Sequence, residues 1–139
     1  MMKPTTDSAR RWAEGLRQEV EQWPGVTLKR AFGMTLIYRS GVVFAALPAS
    51  RALFEEDAIL LKFAVETTAL AKRIASSGRF AAGTMEQRGR SKKSKEGEGR
   101  KWRIYLLREE ADARAAVEWL AQAYEVAVKA GKSGRQVKR

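Results

Sequence analysis

Acid–base chemistry in this chain has to come mainly from carboxylates, because none of its 139 residues is histidine or cysteine. That excludes thiol nucleophiles, Fe–S clusters, Cys/His zinc centres, imidazole bases and Ser-His-Asp triads. The carboxylates gather at Glu55-Glu56-Asp57 and at Glu109, Glu110 and Asp112. The second group suits the first turn of a helix, where negative charge complements the dipole. The first reads as a solvated acidic turn rather than a metal site or a glycosidase pair. Gly131-Lys132-Ser133 supplies the end of a P-loop, but the opening glycine would fall at Val126, and the segment leaves a helix instead of entering one. Gly97 and Gly99 start a G-x-G whose closing position is Trp102, and no Ser-x-x-Lys pair exists. No catalytic residue, cofactor site or metal site is assigned, and the expectation is a protein that is not an enzyme.

Charge is the more informative property. The chain carries 27 basic and 16 acidic residues, a formal +11. Arg88, Arg90, Lys92, Lys93, Lys95, Arg100, Lys101 and Arg103 face only Glu96 and Glu98, so the 88–103 stretch nets +6. Lys129, Lys132, Arg135, Lys138 and Arg139 face no acid, so 129–139 nets +5 and the remainder is balanced at 14 basic and 14 acidic residues. Both segments are rich in Gly and Ser and poor in apolar residues, which predicts a flexible basic loop over 88–100 and a flexible basic tail over 129–139. Two cationic appendages on a neutral body suit DNA or another polyanion, and the eight cations of the 88–103 stretch are the candidate nucleic-acid-binding residues. They equally suit a surface that is only solvated, with a protein as the partner. Trp102 and Tyr105 adjoin the cationic stretch, and an exposed ring there could stack on a base. Alternation, however, sends Trp102 to the same face as Ile104 and Leu106, which reads as core.

The elements that must position these groups follow from period and punctuation. Asp7 to Gln22 places Trp12, Leu16, Val20 and Trp23 on one helical face, capped by Thr6 or Asp7 and stopped by Pro24-Gly25. Alternating, branched and aromatic residues then predict strands over Val26 to Phe32, Met34 to Arg39 and Val42 to Leu47, with Ser40-Gly41 as a tight turn. Ala49 to Asp57 reads as a loop and Ala58 to Val65 as a strand with Ile59, Leu61 and Phe63 on one face. A short helix follows Thr67 or Thr68 and ends at Gly78. The pattern is indistinct from Phe80 to Arg88, with a weak strand at Thr84 to Gln87, and becomes clear again at Trp102 to Leu107. The last helix carries Val117, Leu120, Tyr124 and Val128 in a stripe beside Ala113, Ala116 and Ala121, with Trp119 just off it and Gly131 at the stop position. The order α-βββ(β)-α-ββ-α predicts an α+β fold: one compact domain over 1–128, with an antiparallel sheet of about five to six strands flanked by N-terminal, middle and C-terminal helices.

The longest apolar run, Val42 to Leu47, is too short to span a membrane, and the amino terminus turns charged before any signal-type stretch, so a cytoplasmic location is expected. Arg30-Ala31-Phe32-Gly33-Met34, Ile37-Tyr38-Arg39-Ser40-Gly41-Val42-Val43-Phe44-Ala45 and Ile59-Leu60-Leu61-Lys62-Phe63 together resemble the amino-terminal domain of TfoX-type proteins. Lys101-Trp102 and the Trp119-Leu120 to Ala123-Tyr124-Glu125 helix are similar to the related YjbR-like proteins. Ala31, Met34 and the long 88–100 segment depart from the family pattern. The resemblance implies a compact α+β fold without known catalytic residues and a DNA-binding or transcription-regulator-associated role. The alternative is a protein–protein interaction module that uses a sheet face or Trp119.

Overall fold

A computed structural model describes residues 3–4, 6–49, 51–52, 57–84 and 102–138, with side chains over 6–49, 57–81 and 102–127. The order is β1 (Lys3–Pro4), α1 (Asp7–Val20), β2 (Val26–Ala31), β3 (Met34–Arg39), β4 (Val42–Pro48), β5 (Arg51–Ala52), β6 (Ala58–Lys62), α2 (Thr68–Ser77), β7 (Phe80–Thr84), β8 (Trp102–Leu106) and α3 (Glu110–Lys138). Six strands form one antiparallel sheet in the order β2-β3-β4-β6-β8-β7, and the fold is α+β. Among the described residues no helix is long and apolar enough to cross a membrane.

The helix ends obey local chemistry. The Thr6 hydroxyl accepts the Ala9 N–H and the Thr67 hydroxyl accepts the Leu70 N–H, so each supplies the partner that a first-turn donor lacks. Gly78 ends α2 at φ 76°, a left-handed conformation that costs glycine nothing. Helices α1 and α3 pack across β4, where Ile37, Phe44, Leu47, Ile59, Leu61, Phe63 and Tyr105 meet Leu16, Val20, Trp119 and Leu120 in the larger core. Tyr124 fastens this layer: its hydroxyl donates to the Pro24 carbonyl at 2.7 Å, and the Arg39 guanidinium lies 3.5 Å from its ring centroid.

The structure differs from the sequence-based expectation at several places. Met34, Ala46, Ala58, Leu60, Ile104 and Leu106 form a second buried cluster, with Trp102 packed at its margin. Trp102 therefore shares a face with Ile104 and Leu106 and lies opposite Tyr105, as the alternation of this strand requires. Strand β7 covers Phe80–Thr84, where the sequence pattern is indistinct, because pairing of Phe80 with Tyr105 and of Thr84 with Arg103 outweighs the weak strand preference of Ala and Gly. Residues 85–87 lie outside the described residues. Arg51–Ala52, inside the expected loop, pairs with Lys3–Pro4. Strand β6 stops at Lys62, short of Val65. The backbone of α3 continues through Gly131 to Lys138, across the expected boundary between domain and tail. A helical glycine costs only about 1 kcal/mol, and no proline follows to force a stop.

Candidate anion-binding cleft

Register brings together residues that sequence distance separates. Arg30 pairs with Thr35 across β2 and β3, and Thr35 pairs with Leu47 across β3 and β4, so the three form one cross-strand row. Helix α1 presents Arg10, Ala13, Glu14 and Arg17 towards this row; spacings of three and four residues place them on one helical face. Between helix and sheet lies an open cleft of about 410 Å³, lined also by Leu28, Lys29, Pro48 and Ala49. Thr35 is a polar residue in an otherwise apolar floor and is only 5% exposed.

The charge in the cleft is uneven. Among the described residues Glu14 is its one carboxylate, and it is held by Arg17 and Gln18. The hydrogen bond from Arg17 outweighs the slight burial of Glu14 and keeps its carboxyl below the ordinary glutamate value; the same bond raises Arg17. Arg17 also pairs with Glu21. Among the described residues no carboxylate pairs with Lys29 or Arg30. A body that is neutral in sum thus carries a cationic concavity, where low-dielectric walls strengthen the field felt by an anion.

Of the residues singled out from the sequence, Arg88, Arg90, Lys92, Lys93, Lys95, Arg100 and Lys101 lie outside the described residues. Arg103 is in β8, and its guanidinium grips both oxygens of Glu66, at 3.0 and 2.6 Å. That bond raises the Arg103 pKa and satisfies the group as a structural tie between β8 and the β6–α2 connection. Trp119 is core: 8% exposed, edge-on to Phe63 and Phe80, with the Arg73 guanidinium 5.1 Å from its ring centroid. The docking role expected for Trp119 is therefore corrected, since the indole already fills its place between α3, α2 and β7. Asp57 accepts the Thr6 hydroxyl at 2.8 Å, and its carbonyl accepts the Leu107 N–H. Among the described residues no group of three acidic side chains is arranged to hold a metal ion.

Asp112 makes the densest polar contacts. Its carboxylate accepts the N–H groups of Arg108 at 2.8 Å and Glu109 at 3.0 Å and the Arg79 guanidinium at 2.8 Å. Burial would raise its pKa, but those three donors win and hold it below the ordinary aspartate value. A depressed folded-state pKa stabilises the fold above the unfolded value, near 3.8, and that contribution is lost as pH falls through the folded value. Urea unfolding at falling pH is expected to show a steeper loss of stability below about pH 4 in the native chain than in Asp112→Asn. Equal slopes would assign the acid sensitivity to other carboxylates.

The cleft residues Arg10, Arg17, Lys29, Arg30 and Thr35 were not singled out from the sequence. The available signal was the pairing of a helix bearing cations seven residues apart, Arg10 and Arg17, with a strand bearing Arg30 two residues after the apolar Leu28. Comparison of the chain with protein-family models, with curated proteins and with solved structures returns no match.

Proposed function

We propose that this chain is a non-enzymatic, cytoplasmic nucleic-acid-binding protein that holds phosphates without strong sequence readout, in a regulatory setting like that of the TfoX-type proteins it resembles. The observation that supports the reading is the cleft, whose lining includes Arg30 and Arg10 and in which no described carboxylate pairs with Arg30. The +6 of the 88–103 stretch and the +5 of 129–139 add charge of the same sign. Phosphate contacts of this kind position a ligand but do not read its bases.

Such binding releases counterions, so affinity for labelled nucleic acid should fall linearly in log–log form with salt, with a slope set by the number of phosphates neutralised. Arg30→Gln should lessen that slope by about one. Neutralising Lys92, Lys93, Lys95, Arg100 and Lys101 together should flatten it further. Binding that is undetectable or independent of salt near 50 mM would remove the proposal. Burial of Trp119 gives the protein-interaction alternative no support from that residue.

A further inference from the structure

The tip of the β2–β3 hairpin holds a residue that its backbone does not favour. Phe32 and Gly33 connect Ala31 to its register partner Met34, and both have positive φ, 53° and 76°. This is the two-residue turn in which Asn, Asp or Gly is preferred at the first position and a bulky side chain is an outlier. The β3–β4 hairpin makes the same demand at Ser40 (φ 49°) and Gly41 (φ 85°) and meets it with a small polar side chain. At Phe32 an aromatic ring takes the strained position and is 81% exposed. The ring gains nothing from burial to offset that strain. The hairpin is also anchored, because the Gly33 carbonyl accepts the Ala49 N–H at 3.1 Å, and Ala49 lines the cleft. Arg30 stands two residues before the ring in the chain.

We infer that Phe32 is a stacking platform for an unpaired nucleobase and that the cleft beside it takes the neighbouring phosphates of a single strand. This rests on the nucleic-acid reading above and narrows it. A ring fixed at a hairpin tip can stack only on a base whose face is open, and inside a duplex both faces are covered by neighbouring pairs. Stacking supplies affinity that is insensitive to salt, while Arg30 supplies part of what is sensitive to it.

The test compares a labelled oligothymidine of about ten nucleotides with a duplex closed at both ends by linkers that carry no bases, so that it holds no unpaired base. Phe32→Ala should weaken binding of the single strand by about tenfold, leave its salt slope unchanged, and leave binding to the stem of the closed duplex unchanged. Phe32→Trp should restore the affinity and Phe32→Leu should not, because only the former offers an aromatic face. Phe32→Asn should unfold at a higher urea concentration than the native chain while binding the single strand as weakly as Phe32→Ala, which separates loss of the ring from loss of the fold. If the single strand binds with its full salt slope and Phe32→Ala changes nothing, this inference falls and the polyanion reading stands. Equal weakening of both ligands also overturns it. If neither nucleic acid binds, both readings fall together.

Discussion

Trp119→Ala should lower the unfolding free energy by about 3 to 5 kcal/mol, the range for removing a large buried aromatic side chain. The indole is not a free-standing ring. It meets Phe80 edge-on with centroids 5.0 Å apart and Phe63 at 6.5 Å, and Phe80 in turn meets Tyr105 at 5.1 Å. The substitution removes one member of an aromatic chain that joins α3 to β7 and β8, and the rigid sheet beneath cannot collapse to refill the space. A domain of this size has only about 5 to 15 kcal/mol of stability in total, so the variant should be partly unfolded at modest urea. The midpoint of urea denaturation measures the loss. An unchanged midpoint would contradict the buried position of the ring. Because the effect is on folding, any loss of binding in this variant carries no information about an interface.

Asp112→Ala should cost about 3 kcal/mol, through the loss of capping and the desolvation of donors left unpaired. Before the first turn of α3, the Arg108 and Glu109 N–H groups point at this carboxylate, and Arg79 reaches it from the α2–β7 connection. Alanine leaves all three donors without that acceptor. The Tyr105 hydroxyl donates to the Asp112 carbonyl at 2.6 Å, a backbone contact that the substitution does not remove, so the sheet itself should survive. A fall in melting temperature of about 10 °C is expected in a thermal scan. Asp112→Asn, which keeps one acceptor oxygen, should lie between the two. A shift within a degree of the native chain would show that water replaces the carboxylate at no cost.

Much of the architecture was legible because it depends on period and punctuation. The Ser40-Gly41 turn, the alternation of β8 and the Thr67 and Gly78 limits of α2 are local signals, and each lies where its residues place it. Phe32 was read as the last residue of a strand, since an aromatic beside apolar neighbours favours strands, whereas Gly33 recruits it into the turn. Gly131 was read as a helix end, although its neighbours carry the backbone on. The cleft was not legible. It depends on the pairing of Arg30 with Thr35 and of Thr35 with Leu47, and on α1 packing against β4, and side-chain periodicity encodes neither register nor packing partner. Counting charges along the chain hid it as well, because the cations of α1 and β2 are offset in the sum by carboxylates elsewhere in the body.

The pairing of Thr84 with Arg103 joins the two points where the chain departs after β7 and returns at β8. Partner residues on adjacent strands are about 5 Å apart, so the excursion between them begins and ends at nearly the same place. For a flexible connection between points so close, doubling the length costs only about 0.6 kcal/mol in closure entropy. With the return point clamped by Arg103 and Glu66, the sheet is a socket into which cation-rich inserts of very different lengths can be plugged. The amount of positive charge carried there is free to drift without reshaping the domain beneath.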